Sequence, residues 1–240
     1  MSSTTPLSKD EVARIYRTPL LDLVFLAAQV HRQNHDPHEI QCSMLLSIKT
    51  GACSEDCGYC SQSAHHDSNL ESESLMSVES VIEAARKARD GGADRFCMGA
   101  AWKSPRKDHD FEEVLQMVRE VRKLGLQTCA TLGMLTTEQA DALKDAGLDF
   151  YNHNLDTSED YYSKVVSTHS YEDRLQTIAL VREAGMKVCC GGILGLGESE
   201  LDRIELLRQL AGQENPPESV PINALVPVAG TPFEKMETLP

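Results

Sequence analysis

Apolar and polar residues follow two different periods along this chain, and the switch between them recurs through most of its length. From residue 40 onward, short runs rich in β-branched and apolar residues alternate with amphipathic stretches closed by glycine. Residues 42–50 (CSMLLSIKT) read as a first strand, and the next helical period covers Val78–Asp90 before Gly91 and Gly92 stop it. A second strand is expected over 94–100, a helix over 111–124 ended by Gly125, and a third strand over 126–132. Thr136 caps a short helix reaching Ala146, Gly147 closes it, and a fourth strand covers 148–155. Residues 171–184 with Gly185 repeat the pattern, followed by strand five over 187–194, a helix over 201–210 and strand six over 220–227. Repeated βα units without a hairpin signal predict an α/β fold, a parallel (βα) barrel of TIM type.

Ahead of this repeat lies a helical segment, residues 1–38, so the barrel domain is expected over 39–240. Ser8 and Glu11 form an S-x-x-E capping box, Thr18-Pro19 breaks the first helix, and residues 20–33 continue as a strongly apolar helix. That helix is expected to pack against an end of the barrel. His31, His35 and His38 are read as an exposed helix end, not a metal cluster. Six strands are about two short of a usual eight-stranded barrel, so the chain is expected to be C-terminally truncated, with strands one and six as open edges.

Composition narrows the function classes. The 240 residues are 41% hydrophobic and carry a net charge of −14, which disfavours nucleic acid or an anionic membrane as main partner. No export signal and no run long enough to span a bilayer are visible. Eight cysteines in such a chain point to the cytoplasm and to ligands or buried thiols more than disulfides.

The cysteine pattern carries the chemistry. Residues 49–62, KTGACSEDCGYCSQ, hold Cys53, Cys57 and Cys60 in a C-x3-C-x2-C run bounded by Gly51 and Gly58. Three thiolates in one short loop reach three corners of one metal cluster. They do not complete a zinc tetrahedron, since no fourth Cys or His has finger-like spacing, and His65 and His66 follow Cys60 too closely. A cubane iron–sulfur cluster on three cysteines keeps one iron free for a small molecule. Spacing favours that reading over zinc or unrelated thiols without excluding either.

Cys97, Cys129 and Cys189 fall at similar depth on strands two, three and five, which suggests a second cluster inside the barrel. The competing reading is three small buried side chains. Alternation turns Cys190 to the opposite face, toward a helix, and Cys42 is likewise read as core. Arg95 shares the face of Cys97. On strand four, YNHNLDTS places Asn152, Asn154 and Asp156 on one face, either as ligand contacts or, for Asp156, as a helix cap. GGILGLGE at 191–198 does not match a dinucleotide or phosphate loop. By pattern alone Arg174 is an ordinary helix-surface charge.

The cysteine run with Tyr59 before its last member resembles the radical S-adenosylmethionine (SAM) superfamily. The longer stretches LLSIKTGACSEDCGYC, RFCMGAAW, YNHNLDTS, KVCCGGILGLGE and PESVPINALV are similar to the biotin synthase family within it. The resemblance implies a four-iron cluster on Cys53, Cys57 and Cys60, and a two-iron cluster on Cys97, Cys129 and Cys189 with Ser43 and Arg95 nearby. The family's fourth ligand to that second cluster, an arginine, has no counterpart here. Tyr59, Asn154, Asp156, Arg174 and Ile193 match SAM contacts, and Asn152, Asn154 and Asn223 match substrate contacts. The implied activity is sulfur insertion into dethiobiotin to form biotin, with a flavodoxin- or ferredoxin-type electron donor and a homodimeric state. The alternatives are another radical SAM enzyme, or an inactive fragment that keeps only the four-iron loop.

Overall fold

The computed structural model describes residues 7–106 and 109–239. Two helices come first, α1 (Lys9–Tyr16) and α2 (Leu20–Asn34). Ser8 and Glu11 close the expected capping box on α1. There follow β1 (Ser43–Lys49), α3 (Val78–Asp90), β2 (Arg95–Ala100), α4 (His109–Lys123) and β3 (Gln127–Thr131). The chain continues through α5 (Thr137–Ala146), β4 (Phe150–Asn152), α6 (Glu159–Tyr162), α7 (Tyr171–Glu183) and β5 (Lys187–Cys189). Finally come β6 (Gly192–Leu194), α8 (Glu200–Ala211) and β7 (Ile222–Ala224).

All pairings between strands are parallel, in the order β1-β2-β3-β4-β5, with β6 paired to β7. Single bridges from Asp156 to Gly192 and from Cys189 to Ser219 carry the wall across the gap between the two sheets. The result is a parallel (βα) barrel of TIM type that stays open, because β1 and β7 do not pair among the described residues. Helices α3, α4 and α5 pack on neighbouring helices and strands around a core that includes Val81, Phe96, Val118, Leu143, Tyr151 and Val188. No helix among the described residues is long and apolar enough to cross a membrane.

Three expectations need correction. The fifth strand is interrupted: it divides into β5 and β6 at Cys190–Gly191, where Gly191 N–H is taken by the side chain of Asn154 at 3.0 Å. Helix α2 does not pack on the barrel, since it has no buried residue and Leu20, Leu21 and Phe25 are 73%, 83% and 62% exposed. Cys42 is exposed, not core, because it stands ahead of the outermost strand, β1. Cys190, by contrast, is fully buried in the helix-facing core, as alternation requires. The short helix α6 had no recognisable signal in the sequence beyond Ser158, whose hydroxyl accepts from Tyr161 N.

Candidate functional site

The loop between β1 and α3 is folded tightly on itself. Gly51 (φ 71°) and Ala52 (φ 53°) turn the chain off β1 through left-handed backbone, which glycine adopts freely and alanine only under strain. Cys53 N donates to Gln62 O at 2.9 Å, Ala64 N to Cys53 O at 2.7 Å, and Cys60 N to Cys57 O at 2.9 Å. Gly58 lies under the ring of Phe233, where an added Cβ would sit 3.0 Å from ring carbon, while Gly58 N donates to Val165 O at 2.8 Å. Asp56 fastens the loop to a segment before α7 by accepting from Ser167 N at 2.9 Å and Thr168 N at 3.1 Å. Burial pushes the Asp56 carboxyl up, but these bonds outweigh it and hold the group well below the usual carboxylate range. His65 Nε2 and His66 Nε2 hydrogen-bond the carbonyls of Ser54 and Cys57 within the loop.

Cys53, Cys57 and Cys60 line one cavity of about 210 Å³ with Tyr59, Asn152, Asn154, Asp156 and Arg174. The cavity lies at the C-terminal ends of the strands, where loops of successive βα units converge. Asp156 has left-handed backbone (φ 65°), and its Oδ2 accepts from Tyr59 OH at 3.0 Å and from Arg174 Nη2 at 3.2 Å. Arg174 is therefore not a surface charge: its side chain is 14% exposed and turned inward from the first turns of α7. Burial works against its charge, yet Asp156 together with the Tyr162 and Tyr59 hydroxyls outweighs this and raises its pKa. Burial also raises the pKa of all three loop thiols. Three thiols on the wall of one cavity suit a metal cluster, whose charge stabilises the thiolates. The donor set therefore fits a three-cysteine iron–sulfur cluster.

A second group lies deeper. Cys97 and Cys129 are direct register partners on β2 and β3. Cys189 is opposite Asn152, two residues beyond the Phe150 that pairs with Cys129, because the strands are staggered. Asn152 Nδ2 reaches Cys189 Sγ at 3.4 Å and so touches both the cavity and the second group. The neighbouring Cys129 thiol draws the Cys97 thiol down, while Cys129 is pushed up by Cys97 and by burial. Arg95 is 5% exposed, its guanidinium 3.5 Å above the Phe150 ring and bonded to Gln127 Oε1 at 3.1 Å. Ser43 is its register partner on β1. Ile193 and Tyr59 pack on the same small apolar cluster of Val165, Leu196 and Leu225. Asn223, the register partner of Ile193, is exposed and does not line the cavity.

Sequence reasoning missed Glu55, Lys103 and His169, which also line the cavity. Glu55 was visible as an acid inside the cysteine loop. His169 carried no signal, since only the fold brings residues 55 and 169 together.

The Radical SAM superfamily model matches residues 47–210. A biotin synthase of Rhodopseudomonas palustris (strain HaA2) is 58% identical over 228 residues, 95% of this chain and 64% of that protein. A biotin synthase of Alkalilimnicola ehrlichii is 60% identical over 230 residues, 96% of this chain and 69% of that protein. The chain thus spans roughly two thirds of the length of these relatives. Among solved structures, methylornithine synthase aligns with a TM-score of 0.81 at 18% identity, over 97% of this chain and 68% of that one. The hydrogenase maturase HydG of Carboxydothermus hydrogenoformans aligns at 0.79 and 19% identity, over 96% and 56%. These structural likenesses concern the fold alone; the matches in sequence go further. The chain belongs to the radical SAM superfamily and, within it, to the biotin synthase family.

Proposed function

We propose that this protein inserts sulfur into dethiobiotin to form biotin. The observation that carries this reading is the convergence of the Cys53, Cys57 and Cys60 thiols with Tyr59, Asp156 and Arg174 on one cavity, in a chain 58% identical to a biotin synthase. When bound, the four-iron cluster supplies the electron that cleaves SAM, and the two-iron cluster supplies the sulfur.

Cys53, Cys57 and Cys60 hold the first of these groups. Arg174 takes the carboxylate of SAM, Asp156 and Asn154 take the ribose hydroxyls, and Tyr59 with Ile193 flanks the adenine. Asn152 and Asn154 bind the ureido group of dethiobiotin, since an amide offers donor and acceptor together. Cys97, Cys129 and Cys189 hold the second group, with Arg95 and Ser43 beside it. Asn152, bonded to Cys189, positions substrate between the two groups. The apolar walls keep water from reactive species. A flavodoxin- or ferredoxin-type protein donates the electron, the protein is cytoplasmic, and it acts as a homodimer.

Anaerobic reconstitution followed by iron and acid-labile sulfide analysis tests the metal assignment. Iron and sulfide in about equal amounts, with SAM cleaved after reduction, are expected. Tight zinc in place of iron would overturn it.

A further inference from the structure

A hydrogen-bonded chain of side chains connects the cysteine loop to Arg174. Glu55, between two of the loop cysteines, is 7% exposed. Its Oε2 is bonded to Thr168 Oγ1 and, at 2.7 Å, to His169 Nδ1. His169 Nε2 lies 2.8 Å from Tyr162 OH. The Tyr162 oxygen in turn accepts from Arg174 Nε at 2.8 Å. Arg174 finally donates to Asp156 at 3.2 Å, which Tyr59 also holds.

The direction of this chain follows from its ends. A carboxylate only accepts, so the His169 proton is on Nδ1. A second proton on Nε2 would face Arg174 Nε–H at 3.1 Å, cation against cation. The ring is therefore neutral, and Nε2 accepts from Tyr162 while the Tyr162 oxygen accepts from Arg174. Burial and Arg174 both push the His169 pKa down, in agreement. Lys103 Nζ, 3.3 Å from Glu55 Oε1, balances the carboxylate at its other oxygen.

We infer that His169 and Tyr162 are positioning residues: they transmit the charge of Glu55 to Arg174 and so couple the folding of the cysteine loop to the carboxylate subsite for SAM. The inference rests on the reading of Arg174 given above. Its physical point is that Asp156 is shared. When Asp156 turns to a ribose, the Glu55 relay remains as the counter-charge that keeps the guanidinium aimed into the cavity.

The test uses the anaerobically reconstituted chain and equilibrium binding of two ligands, SAM and 5′-deoxyadenosine, which lacks the amino-acid portion. Arg174→Ala sets the full loss. His169→Ala is expected to weaken SAM about 10-fold and leave 5′-deoxyadenosine within about 2-fold, with iron content unchanged. Tyr162→Phe keeps the ring and its packing and is expected to weaken SAM about 3-fold with the same selectivity. It decides the matter if His169→Ala does not fold. Equal weakening of both ligands, no weakening of SAM, or loss of iron from Tyr162→Phe would overturn the relay. Wild-type protein that holds iron yet binds no SAM would defeat the reading of the site and the relay with it.

Discussion

The two cysteine triads of this protein are assembled in opposite ways. Cys53, Cys57 and Cys60 share one loop, held by short-range backbone bonds such as Cys60 N to Cys57 O. Cys97, Cys129 and Cys189 come from three strands, and only the register of β2, β3, β4 and β5 brings them together. The first triad is a local chelator that needs the barrel mainly as a wall. The second exists only while the sheet is correctly registered. Damage to the sheet is therefore expected to cost the second group before the first.

The largest expected contrast is chemical. Cys57→Ala should lower SAM cleavage by reduced protein at least 100-fold, whereas Cys129→Ala should leave it within about 3-fold and lose only the second group's sulfide. Cleavage that survives Cys57→Ala, or that collapses with Cys129→Ala, would erase the distinction between the triads.

Register can next be attacked without touching a thiol. At Gly191 an added Cβ would collide with the backbone of Pro221, which cannot rotate away. Gly191→Ala is expected to lower the melting temperature by roughly 5–10 °C, and to release first any iron that the strand cysteines hold. An unchanged melt would mean that the break between β5 and β6 is loose.

A gentler attack is Asp149, which pins β3 to β4 through Thr128 N at 2.9 Å and Arg122 Nη1 at 2.7 Å. Burial raises its pKa, but these bonds prevail and depress it. A depressed carboxylate stabilises the fold above its unfolded pKa of about 4, and that contribution is lost as pH falls through the lower folded value. Asp149→Ala should lower the melting temperature by roughly 3–6 °C at neutral pH and flatten the decline below about pH 5. Parallel acid profiles for both proteins would remove Asp149 from the register argument.

The smallest effect is expected at Cys190, adjacent to a strand cysteine yet facing the helices. Its thiol is pushed up to about 12, chiefly by burial. Cys190→Ala should leave iron content unchanged within error and cost about 1 kcal/mol of stability. Iron lost in that variant would place Cys190 among the ligands.

Local chemistry was legible before any coordinates. The cysteine loop follows from spacing, α3 ends at Gly91, and α5 begins and ends where Thr136 and Gly147 stand, because caps act within one turn. Sequence alone also called Cys190 core through strand alternation. By periodicity alone Arg174 looked like surface charge, and only the family resemblance marked it as a SAM contact, because helical periodicity does not reveal that a neighbouring loop folds over that face. Helix α2 looked like a packing element from its composition, although nothing among the described residues covers Leu20, Leu21 or Phe25.

The amino-acid order by itself therefore determined the loop triad, the alternation of strand and helix, and the side chains that share each strand face. These depend on neighbours a few residues apart. Only the tertiary structure decided the interrupted fifth strand, the meeting of Cys97 with Cys129, and the link from Glu55 through His169 to Arg174. Each depends on a contact between residues at least 32 positions apart, and such contacts exist only after the sheet has set its register.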